Sequence, residues 1–358
     1  VQDPLDLIAE YGTDALRLGV TIGITPGNDF TLTPTILDAR RDFVNKLWNV
    51  GRFVFGNTTA EQRRRALDAP VPRPEAPLAE RWIASRTSAV IGETTRLLAD
   101  FNFGEAGRVI HDFIWDELAD WYVEAFKVLS RSGAADGALL AQVYDKVLRL
   151  LHPFAPFITE ELWQRLTTGL ATRPIALMIA SWPTPADVAD PAAEAAWSDV
   201  VALTRATRTL RAEYRIEPAR AVGASIVAPN SERAAFWRAN ADVLAAVPGT
   251  RLNPIEILES PGGAPAELAA RSIATVAGGV ELLVPAEGLF DVSAERQRTD
   301  RELAETARQV QRLQQLLAGD FASKAAPATV QRERERLAEQ QDRLAALERR
   351  QANLERLG

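Results

Sequence analysis

Residues 102–127 read NFGEAGRVIHDFIWDELADWYVEAFK, and this stretch has the pattern of a long amphipathic helix. Asn102 is a residue type that caps helix N-termini, and Glu105 three positions later completes a capping-box pattern. Apolar residues then recur at steps of three and four: Ala106, Val109, Ile110, Phe113, Ile114, Leu118, Trp121 and Ala125. This spacing predicts a helix that buries one broad face in a helical core.

The same stretch carries a second, acidic row. Asp116, Asp120 and Glu124 are spaced by four, so on a helix they are neighbours that repel one another. We expect this row to pair with arginines of neighbouring helices, and we do not expect it to contact nucleic acid.

The composition is that of an ordinary globular protein. The 358 residues suffice for two or three domains. The net charge of −7 excludes a global basic field, so any RNA contact must come from local patches. The absence of cysteine excludes disulfides, thiolate metal sites and cysteine nucleophiles. No apolar run reaches the roughly 18 residues of a membrane span, and no signal peptide precedes Asp3, so we expect a cytoplasmic protein without a membrane partner.

Catalytic motifs are missing from the sequence. His111 and His152 are its only histidines, and no phosphate-binding glycine loop of the G-x-x-x-x-G-K-[ST] or G-x-G-x-x-G type occurs. His152 stands beside two prolines and two phenylalanines, so we expect a packed structural histidine there. The sequence contains no self-sufficient catalytic constellation and no candidate metal site.

Helical patterns dominate the first half of the chain. Two short helices broken at Gly12 precede a turn at residues 26–29, and a long helix starts at about Pro34. The proline-rich residues 68–78 are predicted to form a stiff connection. Amphipathic helices joined by short links then continue to about residue 163, which is typical of a helix bundle.

The long helix from Pro34 mixes basic, amide and aromatic side chains. Its predicted buried stripe consists of Ile36, Leu37, Phe43, Leu47, Val50 and Val54. Arg40, Arg41, Lys46, Trp48, Asn49, Arg52 and Phe53 lie between and beside these positions. Such a mixture can bind RNA through phosphates, base edges and stacking, or it can be a helix with core aromatics and solvated arginines.

The second half changes character twice. Residues 221–228 and 255–258 are predicted strands with a helix at 231–247 between them, and Gly278-Gly279 joins two further strands in a hairpin. We therefore expect a small α+β domain. From Asp291 onward, leucines and valines spaced by seven predict two coiled-coil helices that fold back as an antiparallel hairpin around residues 318–327.

Several stretches together resemble one family. DPLDLIAEYGTDALRLGV, RDFVNKLWNVGRFVF, residues 102–127 and LLHPFAPFITEELW look like the C-terminal half of class I aminoacyl-tRNA synthetases for valine, isoleucine and leucine. TRTLRAEYRIEPARAV and LLAGDFASKAAPATVQRERERL are more selective and resemble the tail of valyl-tRNA synthetases. The resemblance covers nearly the whole chain in order. Departures occur at Ala119, Ala318 and Pro327, where members usually have cysteine, a nearby asparagine and a proline aligned with Ala326.

The resemblance implies a mainly α fold in four parts. Residues 1–33 would end the catalytic core, 34–183 would form the anticodon-binding helix bundle, 184–290 a small α+β junction domain, and 291–358 a coiled-coil tRNA-binding arm. The H-x-G-H and K-M-S-K-S motifs that activate valine with ATP and Mg in this family are absent, and the chain starts just after the place of the second. The editing domain is absent too, so the resemblance implies no catalytic residue and no cofactor in this chain.

What remains by resemblance is tRNA recognition. For the valine anticodon we expect Lys46, Asn49, Arg52 and Phe53 to contact phosphates, base edges and a base face. For the outer corner of the tRNA we expect Lys324, Arg332 and Arg336. The expected partners are the tRNA for valine and the missing catalytic half, in a monomer. The alternative is a non-catalytic coiled-coil interaction module that kept the fold and lost tRNA; whether the chain is a fragment or a separate polypeptide stays open.

Overall fold

The computed structural model describes residues 3–24, 30–68, 75–170, 173–186, 188–319, 321 and 325–357. The predicted turn at residues 26–29 and most of the proline-rich connection lie outside these residues. The chain divides into two compact units, Val1–Ser198 and Asp199–Gly358. The four-part division predicted from the sequence is finer than this and stays a prediction.

The first unit is helical throughout its described part. Its elements are α1 Pro4–Tyr11, α2 Thr13–Gly19, α3 Pro34–Asn57, α4 Ala60–Asp68, α5 Leu78–Ala99, α6 Phe103–Asp112, a π-helical segment Phe113–Tyr122, α7 Val123–Arg131, α8 Gly137–Leu151, α9 Pro156–Leu166 and a 3-10 turn Leu177–Ile179. Helix α10, Pro191–Glu213, begins in this unit and ends in the second. In these helices the apolar stripes predicted from the sequence form the core.

The second unit combines a small sheet with a helical hairpin. It contains β1 Val222–Ala228, α11 Ser231–Ala246, β2 Leu252–Glu259, α12 Ala266–Ala269, β3 Ser272–Ala277, β4 Val280–Pro285, α13 Val292–Ala318 and α14 Pro327–Arg356. The strand order is β2-β1-β4-β3, with β1 parallel to β2 and antiparallel to β4. Gly278 and Gly279, with φ of 57° and 67°, form the turn of the β3–β4 hairpin, as predicted.

Residues 103–131 form one continuous helical run, and the predicted buried stripe is confirmed. Every stripe residue is buried except Val109, which is half-buried. The π-helical turns of Phe113–Tyr122 are wider than α-helical turns, so they shift the phase of the run and bury Tyr122 as well. A period of 3.6 residues read from the sequence does not reveal that shift.

Two details of this run differ from the prediction. The Asn102 side chain caps nothing, because the preceding Phe101 adopts φ of 58° and the Asn102 N–H bonds to the Leu97 carbonyl at 2.8 Å. Glu105 bonds to Arg108 instead of completing a capping box. The capping-box prediction was therefore wrong.

The acidic row is only partly paired, and arginines do not pair with it. Asp120 binds Lys46 at 2.7 Å, and Glu124 binds Lys127 of its own helix at 2.7 Å. Asp116 makes no ion pair within the described part of the chain. The prediction of arginine partners was wrong: Arg86 of the neighbouring helix α5 binds Glu117, which is outside the row, at 2.7 Å.

The predicted helical hairpin is confirmed. Arg296 near the start of α13 donates to the Leu354 carbonyl near the end of α14, which makes the two helices antiparallel. Val310, Leu313, Val330, Leu347 and Leu354 are buried along the seam, whereas the predicted seam residues Leu303, Leu317, Leu337 and Leu344 are only half-buried. Two helices alone cannot enclose both edges of their seam, so part of it stays accessible to water.

Candidate nucleic-acid interface

Helix α3 carries the predicted anticodon residues, and its local sequence explains its position. Thr33 caps its first turn by accepting from the Ile36 N–H, and Pro34 occupies the position where a missing N–H costs nothing. Leu37, Phe43, Leu47, Val50, Gly51 and Val54 are buried along one side. The opposite side therefore faces away from the core.

Packing against α8 fixes α3 in the bundle. The Tyr144 hydroxyl donates to the Leu47 carbonyl at 3.0 Å. A Cβ atom at Gly51 would lie 2.5 Å from the Tyr144 Oη and 2.7 Å from a methyl carbon of Leu162, so a larger residue would push the helices apart. This close contact sets which α3 side chains point outward.

Asn49 and Arg52 are the two predicted residues that point freely outward. Both side chains are exposed, one turn apart on α3. Within the described residues neither side chain makes a hydrogen bond or an ion pair. An amide and a guanidinium without protein partners can donate to base edges and phosphates.

Lys46 is already engaged within the protein. Its Nζ atom lies 2.7 Å from Asp120 Oδ1 and 3.8 Å from the centre of the Trp115 ring, and the side chain is 22% exposed. The ammonium group therefore has one carboxylate and one aromatic face as partners. This arrangement positions the charge at the edge of the α3 face and leaves less of it for a phosphate.

Phe53 offers part of an aromatic ring to solvent. The side chain is half-buried and packs edge-to-face on Phe126 with ring centres 5.9 Å apart. Lys127 Nζ lies 5.7 Å from the ring centre and is held by Glu124. A ring fixed on one side in this way can stack on a base at low entropic cost.

Three further residues belong to this surface that the sequence did not point to. Trp115 contacts Lys46 as described, Lys127 lies over Phe53, and Arg165 lies over the Trp48 ring at 4.7 Å. Each contact joins residues far apart in the chain. Trp115 stands in the π-helical segment, whose register no local pattern reveals.

The two histidines have structural surroundings. His111 packs against Phe43 and Trp115, with ring centres 4.5 Å and 6.0 Å away, and burial lowers its pKa. His152 Nδ1 lies 2.8 Å from Thr159 Oγ1, which confirms the packed role predicted for it. Among the described residues no group of His, Asp and Glu side chains could hold a metal ion.

The predicted arm residues are only partly described. Arg332 and Arg336 are exposed near the start of α14, where Arg332 donates to the Ala328 carbonyl at 3.5 Å and Arg336 lies 3.9 Å from Glu333. Their guanidinium groups are free to turn toward an anion. Lys324 lies outside the described residues.

Comparison with known proteins identifies two regions of the chain. Residues 80–226 match the family described as anticodon-binding domain of tRNA ligase, and residues 291–355 match the family described as valyl tRNA synthetase tRNA binding arm. Helix α3 precedes the first match. No helix in the described part of the chain is long and apolar enough to cross a membrane.

Complete relatives extend the likeness to nearly the whole chain. The valine–tRNA ligase of Dehalococcoides mccartyi is 39% identical over 344 residues, 94% of this chain and 38% of the relative. That of Carboxydothermus hydrogenoformans is 36% identical over 94% of this chain and 37% of the relative, and that of Geobacillus kaustophilus 33% identical over 99% and 39%. The chain thus spans about two fifths of the length of these relatives. A leucyl-tRNA synthetase from Agrobacterium radiobacter, solved in a ternary complex with tRNA, overlaps 53% of this chain at 23% identity and a TM-score of 0.41.

Proposed function

The chain is the C-terminal, tRNA-recognition part of a valyl-tRNA synthetase, and we propose that it binds the tRNA for valine through the outward face of α3 and through its helical arm. The observation that carries the proposal is the pairing of two unengaged polar side chains with a supported aromatic ring on one helix. Asn49 and Arg52 donate to base edges and phosphate, and Phe53 stacks on a base.

The remaining predicted residues have supporting roles in this proposal. Lys46, tethered by Asp120 and Trp115, adds positive charge at the border of the face rather than a direct base contact. Arg332 and Arg336, together with Lys324, contact phosphates at the outer corner of the tRNA. These arm contacts add affinity without reading the anticodon.

Catalysis belongs to the upstream part of the synthetase in this proposal. The full protein is a cytoplasmic, monomeric valine–tRNA ligase that uses ATP and Mg, and its adenylation site is built by residues that this chain lacks. We expect this chain alone to give no valine-dependent exchange between ATP and pyrophosphate. Exchange clearly above a buffer blank would disprove that part of the proposal.

The binding test uses the chain and transcripts of tRNA that differ only in the anticodon. Binding is measured by fluorescence anisotropy at several salt concentrations, because phosphate contacts make affinity salt-dependent. We expect Asn49→Ala and Phe53→Ala each to weaken binding roughly 5- to 100-fold, since a lost base contact or stack costs about 1–3 kcal/mol. The loss should be restricted to the transcript with the valine anticodon.

Matched controls come from the same unit. Phe157→Ala removes a ring that is 63% exposed on α9, and Arg64→Ala removes an exposed charge on α4; both should leave discrimination between anticodons unchanged. Equal binding of all transcripts would refute the anticodon assignment. Absence of binding even at low salt would favour a protein interaction module that has lost tRNA.

A further inference from the structure

Four arginines of the second unit lie at the end of the sheet where β1 and β2 begin. Arg208 Nε donates to the Pro248 carbonyl at 2.9 Å, and Arg211 donates to the Arg220 carbonyl at 2.8 Å. The Arg251 carbonyl accepts from the Val222 N–H at 3.0 Å. We call Arg208, Arg211, Arg220 and Arg251 the arginine cluster; Arg251 directly precedes the edge strand β2, and the guanidinium of Arg220 lies at Gly288, after β4.

Arg211 is a buried charge that makes no ion pair within the described residues. The side chain is 4% exposed, and its Nη2 atom donates to the carbonyls of Glu217 and Arg220 at 2.9 and 2.8 Å. Its buried Nη1 atom has no hydrogen-bond partner. Burial lowers the pKa of Arg211, and the positive charge of Arg251 lowers it further. Buried arginines are ordinarily paired with an acid. Arg211 has no such partner among the described residues, so its charge is uncompensated.

The two exposed members, Arg220 and Arg251, also have no acidic partner among the described residues. By contrast, Arg233 and Arg298 of the same unit have Asp199 and Glu302 within 2.9 and 3.5 Å. Arg220 donates to the Gly288 carbonyl at 2.7 Å, which fixes its guanidinium. The arginine cluster is therefore a local concentration of positive charge in a chain whose net charge is −7.

The backbone at Arg251 is a second, independent observation. Its φ of 47° is left-handed, a conformation that glycine or asparagine adopts more easily. An arginine there costs about 1 kcal/mol or more relative to glycine. The hydrogen bonds of Arg211 to backbone carbonyls fix the loop after α10. They give no reason for a charged side chain at Arg251, where the backbone is strained and exposed.

We propose that the arginine cluster binds the sugar-phosphate backbone of RNA, as a contact surface distinct from the α3 face and from the arm. Guanidinium groups are planar donors that match phosphate oxygens, and a phosphate beside Arg211 would compensate its buried charge. The cluster carries no aromatic side chain on which a base could stack, so we expect its contacts to be with the phosphates. This inference rests on the proposed function, and it adds a contact on the sheet domain of the second unit.

The decisive variant is Arg251→Asn, measured in the full chain with the valine transcript over a salt series. Asparagine suits the left-handed backbone, so the variant should fold at least as stably, and thermal unfolding checks this. We expect binding to be roughly 3- to 10-fold weaker. Because one phosphate contact is lost, the plot of log K against log salt concentration should be less steep by about one. Arg251→Lys keeps the charge and should retain most of the binding and the slope.

The controls separate this proposal from the proposed function. Arg238→Ala removes an exposed arginine on α11, which follows the opposite end of β1, and should change neither affinity nor slope. Arg220→Ala should act as Arg251→Asn does. If the unaltered chain binds the valine transcript selectively while Arg251→Asn and Arg220→Ala bind with equal affinity and slope, the cluster proposal is wrong. If the unaltered chain binds no transcript, the proposed function itself has failed, and with it the RNA assignment of the cluster.

Discussion

The helical bundle of the first unit and the helical hairpin of the second are both built from long amphipathic helices, yet different forces hold them. In the bundle, Trp163 and Tyr144 are almost fully buried and their polar atoms have hydrogen-bond partners. In the hairpin, a narrow apolar seam ends in a buried ion pair between Glu295 and Arg350. A multilayer core can hold a binding face rigidly, whereas a two-helix arm depends on anchoring at its base.

The largest expected effect is in the bundle core. Trp163 is 1% exposed and donates from Nε1 to Asp145 at 2.9 Å, so Trp163→Ala removes a large ring and leaves a buried carboxylate with one partner fewer. We expect a loss of about 4–5 kcal/mol in the free energy of unfolding. Urea unfolding followed by tryptophan fluorescence measures it, because seven of the eight tryptophans lie in residues 1–198. Ile175→Ala, at an 83% exposed site, should change the stability by less than about 0.5 kcal/mol.

The next effect tests the anchor of the arm. Arg350 is 6% exposed and binds Glu295, so Arg350→Ala leaves a buried carboxylate. Arg298 remains as a partner of Glu295, so we expect about 2 kcal/mol rather than the roughly 3–5 kcal/mol of a pair broken completely. Hydrogen exchange of α13 and α14 should report the loss. The double variant Glu295→Met/Arg350→Met should be near neutral; a loss as large as that of Arg350→Ala would show that the ion pair itself stabilises the arm.

A smaller effect is expected where the outward face of α3 meets the core. The Lys46–Asp120 pair is half open to solvent, at 22% and 53% side-chain exposure, so Asp120→Asn should change stability by less than about 1 kcal/mol. The same change releases the Lys46 ammonium group, which should make tRNA binding more dependent on salt concentration. A double-mutant cycle with Lys46→Gln measures the coupling. A coupling energy above about 2 kcal/mol would mean that the pair belongs to the structural core.

The smallest effect distinguishes the two units by pH. Burial lowers the pKa of His111, so the folded bundle binds this proton less readily than the unfolded chain. Its stability should therefore fall as the pH drops from about 6.5, the ordinary histidine value, to the lowered value of the folded state. Burial lowers the pKa of His152 as well, so His111→Gln should remove only part of this pH dependence. Both histidines lie in residues 1–198, so unfolding of the arm should show no histidine-dependent change in that range.

Three predictions from local patterns are confirmed: the buried stripe of residues 102–127, the Gly278-Gly279 turn and the antiparallel helices of the arm. Of the predicted seam of the arm, only Val310, Leu347 and Leu354 are buried. The capping box at Asn102 failed although its pattern is local, because the backbone of Phe101 turns the chain first. Local preference decides only where tertiary packing leaves the choice open.

The candidate site was found in part. Asn49, Arg52 and Phe53 have the exposure that a contact residue needs, although their contact with tRNA stays a prediction. The pairing of Lys46 with Asp120 was not foreseen, because those residues are 74 positions apart. The arginine cluster was missed for the same reason: Arg211 and Arg251 stand 40 residues apart in the sequence and approach only when β1 pairs with β2.

By itself the sequence determined the helices, the small sheet, the hairpin arm and the resemblance to valyl-tRNA synthetases, because apolar spacing, turn residues and motif order are properties of contiguous residues. The tertiary structure alone decided the π-helical register, the partner of Lys46 and the burial of Arg211. These depend on which helices and strands pack together, and the energy of a charge is set by the groups that folding brings around it. In residues 102–127 the sequence specified a buried face, and packing decided which of their acidic side chains would pair with a lysine or an arginine.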